Sequence, residues 1–418
     1  MKLYNTYSQQ MEEFHPQAEV VSLYVCGITP YDTTHLGHAF TYTSADILIR
    51  YVEYLGQRVK YVQNVTDIDD DILRKAKEVN EDWQTLGNRW TAHFIQDMQA
   101  LNVRPPDHYP RATEVIPQIL EMVQALVQAG VAYSAAGNVY FAVEAWPPYG
   151  QLSHIPKAEM LPVANERGNQ PDDPHKRNPL DFVLWQAQAP GEPAWESPWG
   201  LGRPGWHIEC SVMATHFLGE TIDIHSGGSD LIFPHHESEI AQTEAVTQRA
   251  PFARCWLHTA MVQHEGEKMS KSLGNLVMVS DLLQHYSPDA LRLYLAQHHY
   301  RKPWRYAAAE LEQAAQQAQK LNAAMLATGG SGASVEPLGT QQALKAVMDN
   351  DLDTPQALQL LDQLADQILH GAQQGQRIEL AQEALRAMGH IFGLRLDAYR
   401  AEPTVIEGWQ QHLQRFTV

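Results

Sequence analysis

The stretch His35-Leu36-Gly37-His38 sets two imidazoles three residues apart around a glycine, just past an apolar run that ends at Cys26, Gly27 and Pro30. If a helix begins there, both rings lie beside its unpaired N–H groups and the positive end of its dipole, while Gly37 lets a phosphate or adenine approach the backbone. That arrangement suits a nucleoside triphosphate. Much later, Gly266 to Asn275 reads GEKMSKSLGN. Lys268 and Lys271, on a glycine-bounded, serine-rich loop, can close over the outer phosphates and neutralise the charge that develops on departing pyrophosphate. Alone, either motif would be an ordinary turn or a solvated basic loop; together in one chain, near the ends of predicted strands, they point to ATP chemistry. The three cysteines, Cys26, Cys210 and Cys255, are odd in number and far apart, which does not read as a disulfide framework. Cys26 and Cys210 therefore need another role.

Positioning these groups calls for a doubly wound sheet. Val20 to Ile28 predicts a buried strand, a helix follows from about His35 to a stop at Gly56, and Arg58 to Asp67 alternates as a second strand. Strand, helix, strand with glycine at the first turn opens a parallel α/β sheet, whose ligands lie at the carboxyl ends of the strands. No GxGxxG opens that turn, so a redox dinucleotide is not expected. Two long helices are expected between Trp83 and Gly130, on either side of VRPPDHYP, and the Pro-, Gly- and Asn-rich stretch from Ala145 to Gly205 predicts an irregular insertion with few regular elements. The sheet resumes with ETIDIHSGG, the helix HHESEIAQTEAVT and the strand CWLHTAMVQ. From Val279 the pattern is helical, with a helix start at Asp353-Thr354-Pro355, and predicts a C-terminal bundle.

A chain of 418 residues with 44% hydrophobic content can form two or three globular domains. Its net charge of −19 works against a general nucleic-acid binder, which needs clustered Lys and Arg. The N-terminus lacks a basic segment followed by an apolar core, and no run approaches the length of a membrane span; a cytoplasmic protein without membrane contact is expected.

HLGH and KMSKS resemble the HIGH and KMSKS signatures of class I aminoacyl-tRNA synthetases. YVCGITPYDTTHLGH, YVQNVTDIDDD, GRPGWHIECS, DIHSGGSDLIFPHHESEIAQ and EKMSKSLGN, in that order from Lys2 to about Leu396, resemble the cysteinyl-tRNA synthetase group. The resemblance implies a split Rossmann-like α/β catalytic domain with an insertion and a C-terminal helical bundle. Its implied divisions are 1–120 and 201–262 for the two catalytic halves, 121–200 for the insertion, 263–304 for the KMSKS loop and connecting helices, and 305–418 for the bundle. It also implies one Zn²⁺ per chain on Cys26, Cys210, His235 and Glu239, where the substrate thiolate would bind and so separate cysteine from serine without editing. His35, His38, Lys268 and Lys271 would stabilise phosphate charge. Gly27, Thr29, Gly37, Thr41, Asn64, Gly228, Ser229 and Val262 would border the adenylate, and Thr66, Trp206 and Asp230 would line the cysteine pocket, Asp230 facing the ammonium. L-cysteine and ATP with Mg²⁺ are the implied substrates. Read singly, Thr66 would equally cap a helix beginning near Asp67, Trp206 would equally be core, and DIDDD would be a solvated helix start.

Two branches share this activation chemistry: cysteinyl-tRNA synthetases, which load a tRNA, and mycothiol ligases, which load the amine of a small amino sugar. ITPYDTTHLGHA, YVQNVTD and NERGNQPDDPHKRNPLD resemble the ligase branch. After about Leu396 only DAYRAEPTVIEGWQQHLQRFTV follows, short for an anticodon-binding domain, and Tyr306 to Val418 holds seven Lys/Arg against thirteen Asp/Glu, a poor track for tRNA. Glu239 and His225 point back to the synthetases. A small amine acceptor is expected, with a truncated cysteinyl-tRNA synthetase as the alternative and a catalytically silent paralogue less favoured because the motifs are intact.

Overall fold

The computed structural model describes residues 1–31, 34–264, 274–396 and 401–416, with the backbone alone of 267–268. The chain opens with a hairpin, β1 (Lys2–Asn5) and β2 (Gln10–Glu13), before β3 (Val20–Ile28), α1 (Leu36–Tyr54) and β4 (Arg58–Val65). Helices α2 (Asp70–Val79), α3 (Trp83–Ala100) and α4 (Ile116–Gln128) lead into β5 (Ala132–Ala135), β6 (Asn138–Phe141), α5 (Lys157–Asn165), β7 (Phe182–Ala187) and β8 (Gly202–Pro204). Then come α6 (Trp206–Leu218), β9 (Ile222–Gly228), α7 (Glu237–Thr247), β10 (Ala253–Thr259), β11 (Val262–His264) and β12 (Glu267–Lys268). Short helices α8 (Val279–Leu282) and α9 (Pro288–Ala296) and strand β13 (Trp304–Arg305) connect to α10 (Ala308–Leu326), α11 (Leu338–Met348), α12 (Thr354–Gln373), α13 (Glu379–Ile391) and α14 (Pro403–Leu413).

The central sheet runs β10-β9-β3-β4, all parallel. From β3 the chain winds outward to β4, and from β9 it winds the other way to β10, so the order reverses between β3 and β9. A crevice opens at such a switch point, at the carboxyl ends of the strands. Both faces are covered, as a parallel sheet requires. Along β3, Val21, Leu23 and Val25 join the core shared with α1 and the bundle, while Tyr24 and Cys26 face the core shared with α4, α6 and α7. The period of two thus delivers Cys26 to the side where α6 and α7 pack.

Three expectations need correction. The stretch from Ala145 to Gly205 is not irregular: β7 and β8 join β5 and β6 in a four-stranded antiparallel sheet, with α5 alongside. These strands are only three to six residues long, and β7 finds its other partner, β6, outside the stretch, so local composition hid them. CWLHTAMVQ is not one strand; it breaks after Thr259, and β11 pairs with β12 and β13 in a separate small sheet. Finally, Thr66 does not cap the next helix, because the Asp69 side chain accepts from Asp71 N and takes that place. At the other predicted start, Asp353 caps α12 and Pro355 occupies its second position.

Helices α9 to α13 pack together into the C-terminal bundle, while α14 turns back onto α3, where Trp409 Nε1 donates to the Val103 carbonyl at 2.7 Å.

Candidate active site and metal centre

Cys26 lies two residues before the end of β3, Cys210 in the second turn of α6, His235 in the turn before α7 and Glu239 in the first turn of α7; all four are buried. One donor atom from each falls within 4.8 Å of the others. The separations are Cys26 Sγ–Cys210 Sγ 3.8 Å, Cys26 Sγ–Glu239 Oε1 3.6 Å and His235 Nε2–Glu239 Oε1 3.1 Å. A tetrahedral Zn²⁺ with ordinary bond lengths sets sulfurs about 3.8 Å apart, sulfur and oxygen about 3.6 Å, and nitrogen and oxygen about 3.3 Å. The quartet matches that spacing. A second grouping, Cys26, His225, His236 and Glu239, is equally compact. Its contacts, His236 Nε2–Cys26 Sγ at 3.2 Å and His225 Nε2–Glu239 Oε2 at 2.9 Å, are hydrogen-bond lengths. His225 and His236 therefore support two members of the quartet from behind.

Charge follows the same division. Burial opposes ionisation of Cys210, but the Cys26 thiol donating to it and the His235 charge bring it down to about 6. Burial likewise opposes the charged forms of Glu239 and His235, yet His225 and His235 hold Glu239 at about 2, and Cys210 and Glu239 lift His235 to about 10. Cys255, the third cysteine, lacks such partners: burial first, then Glu12 and Asp351, push it up to about 12. Cys210 is poised as the thiolate of the pair, whereas burial and the bond to Cys210 push the Cys26 thiol well up, and Cys255 stays a thiol.

Around the quartet, Trp206 stacks on His235 with centroids 4.3 Å apart, and His207 Nδ1 meets His235 Nδ1 at 2.9 Å. Behind it run His236 Nδ1–His258 Nε2 at 2.8 Å and His258 Nδ1–Thr6 Oγ1 at 2.8 Å. These partners fix ring orientations, the usual work of groups behind a metal ligand. His207, His236 and His258 lie outside the expected site residues, and the sequence gives His225 no role beyond separating the two branches. A signal existed in the register: His225 on β9 lies opposite Tyr24 on β3, on the same sheet face as Cys26.

The predicted nucleotide residues gather at the neighbouring strand ends. His35 caps α1 and forms a reciprocal box with His38: His38 N donates to His35 Nδ1 at 3.3 Å, and His35 N to His38 Nδ1 at 3.4 Å. With Nδ1 accepting, the neutral rings carry their proton on Nε2, the donor a phosphate needs. Gly37 lies in that first turn, and Thr41 Oγ1 meets Thr259 Oγ1 of β10 at 2.8 Å. Gly27 N donates to Asn64 Oδ1 at 2.7 Å, and a Cβ on Gly27 would stand 1.5 Å from the Asn64 carbonyl oxygen, so β3 and β4 can approach this closely only with glycine. Thr29 follows β3; its carbonyl accepts from Tyr31 N at 2.9 Å. Thr66, buried at the end of β4, accepts from Asn64 Nδ2 at 3.2 Å. Gly228 ends β9, Ser229 and Asp230 form the turn beyond it, and Val262 opens β11, buried.

Lys271 and the Lys268 side chain lie outside the described residues. The chain just after them is described: Leu36 N donates to Val277 O at 2.8 Å and Val279 N to Thr34 O at 3.0 Å. Val277 and Val279, just past the second signature segment, thus lie against the first, about 240 residues earlier in the chain.

The family described as tRNA synthetases class I (C) catalytic domain matches residues 12–316. A cysteine–tRNA ligase of Dehalococcoides mccartyi is 45% identical over 409 residues, covering 97% of this chain and 88% of that one. The L-cysteine:1D-myo-inositol 2-amino-2-deoxy-alpha-D-glucopyranoside ligase of Thermomonospora curvata is 46% identical over 367 residues, covering 88% and 87%. Among solved structures, Mycobacterium tuberculosis methionyl-tRNA synthetase in complex with methionyl-adenylate superposes with a TM-score of 0.64 at 15% identity, covering 95% of this chain and 93% of that one, a likeness of fold.

Proposed function

The chain belongs to the family of class I (C) tRNA synthetase catalytic domains, and from that premise we propose that it activates L-cysteine with ATP and passes the cysteinyl group to the amine of a small acceptor, an amino sugar of the glucosamine type. The observation that carries the activation step is the Cys26–Cys210–His235–Glu239 quartet lying beside the HLGH helix start at one switch point. Zinc, held by these four donors, supplies a Lewis acid that prefers sulfur to oxygen. Asp230 faces the ammonium and Trp206 walls the pocket. The cysteine carboxylate attacks the α-phosphorus and pyrophosphate leaves, while His35, His38, Lys268 and Lys271 and the positive end of the α1 dipole bear its charge. The acceptor nitrogen, as free base, then attacks the carbonyl of the adenylate and AMP departs.

The amino-sugar acceptor is supported by the NERGNQP insertion and by a bundle region with nearly twice as many acidic as basic residues. A second reading, charging of tRNA, is favoured by Glu239 with its His225 partner and by relatives named as cysteine–tRNA ligases at similar identity. An acceptor screen with radiolabelled cysteine and ATP separates them. Cysteine-dependent AMP release stimulated by glucosamine-type amines, insensitive to salt and to tRNA, is the expected result; tRNA loading that falls steeply with salt, without response to any amine, would establish the second reading.

A further inference from the structure

Arg167 lies two residues past the end of α5, in the NERGNQP segment, where Gly168 at φ +88° turns the chain back. The turn is held from behind: Asn169 N donates to Ala164 O at 3.1 Å, Asn169 Nδ2 to Pro179 O at 3.0 Å, and Lys176 Nζ to Asn169 Oδ1 at 2.6 Å. From this fixed base the half-buried Arg167 reaches out of the insertion, and its Nη1 donates to two carbonyls, those of Asp230 and Phe233. Both belong to the connection between β9 and α7. Phe233, at φ −137° and ψ 135°, breaks the helical path there. The N–H of Glu237 serves the carbonyls of Ile232 and Pro234, and Arg167 serves that of Phe233. Helix α5 packs against the same turn. On one side of the bridged pair stands the Asp230 side chain; two residues beyond Phe233 comes His235, under the Trp206 ring.

We propose that Arg167 is a positioning residue for the cysteine subsite, holding the 230–235 turn so that Asp230 and His235 keep the spacing one amino acid needs and tying cysteine affinity to the insertion. The inference rests on the cysteine pocket proposed above. Two N–H groups of one nitrogen meet two carbonyls, so removing the guanidinium releases both ends of the turn at once. Both bonds of Arg167 fall on the connection between β9 and α7 and not on β3, β4 or α1.

The test measures cysteine-dependent ATP–pyrophosphate exchange, bound zinc and thermal melting for the full chain and for Arg167→Met and Arg167→Lys. Arg167→Met is expected to raise KM for cysteine about tenfold with KM for ATP and kcat within about twofold. Zinc content and melting temperature should stay those of the unaltered chain, and Arg167→Lys, which can reach at least one carbonyl, should recover part of the loss. An unchanged KM for cysteine in Arg167→Met overturns the proposal, as does an equal rise in both KM values with a lowered melting temperature. Absence of cysteine-dependent exchange in the unaltered chain instead overturns the cysteine-pocket assignment itself.

Discussion

Asp46 on α1 and Glu239 on α7 are both carboxylates sealed from solvent, yet their surroundings differ in kind. Asp46 accepts from Arg50 Nε at 3.0 Å, from Arg104 N at 2.8 Å and from Arg292 Nη2. The guanidinium groups spend their remaining donors on fixed acceptors: Arg292 on the carbonyls of Leu101 and Phe392, Arg50 on Asn102 O and Glu402. Burial works against the Asp46 charge, but Arg50 and Arg292 hold its pKa below the usual carboxylate value. This is a saturated network, joining α1, α9 and the segment before α14, with no coordination site to offer. Around Glu239 the partners are thiols and imidazoles, soft or borderline donors that converge on one point. A fixed-charge cluster ties elements together; a titratable, soft cluster leaves room for a cation and a ligand.

The contrast breaks most completely at Cys210. Cys210→Ala should lose zinc, measured as metal per purified chain, together with discrimination of cysteine from serine in pyrophosphate exchange; full metal in that variant would remove Cys210 from the site. Glu239→Gln should be milder, retaining part of the metal. At the other cluster, Asp46→Ala should cost about 3–5 kcal/mol in denaturant unfolding, because two buried guanidinium groups lose their anion, while metal content stays at the level of the unaltered chain. His38→Ala should lower exchange about a hundredfold without changing cysteine binding, the scale of losing one donor that stabilises developing charge. The smallest effect falls at the rim of the saturated network. Burial raises the Glu402 carboxyl, but His390 and Arg50 more than offset this and bring it from its ordinary 4.5 to about 2. A depressed carboxylate contributes stability that is full above 4.5 and is lost as pH falls through about 2. Glu402→Gln should therefore unfold more easily at pH 7, and the gap should close by pH 2, read as unfolding midpoints across pH.

Legibility in the sequence followed element type. β3, α1 and β4 were readable because a β-branched run, a glycine stop and a second alternating run sit within 50 residues and need only local rules. Helix α6, which carries Cys210, leaves no such mark in the sequence: Trp206 is half-buried and every residue from His207 to Ala214 is buried, so it has no amphipathic stripe. Gly205, its cap, explains itself only in three dimensions, since a Cβ there would meet the Val183 carbonyl oxygen at 2.0 Å. The insertion sheet escaped for a related reason: each strand is short, and β6 and β7 pair across about 45 residues of chain.

The sequence by itself determined which chemistry was on offer, because residue types such as two cysteines, HLGH and KMSKS have intrinsic affinities for soft metals and phosphates. It also determined the parity of β3, which sends Cys26 to one face. Only the tertiary structure decided that Cys26 and Cys210, 184 residues apart, meet at 3.8 Å, that four further histidines stand behind and beside them, and that Arg167 reaches the Asp230–Phe233 turn from the insertion. Donor identity is a property of a residue. Convergence is a property of packing, set by sheet order and by which helices cover which face, and neither can be read from a local stretch of chain.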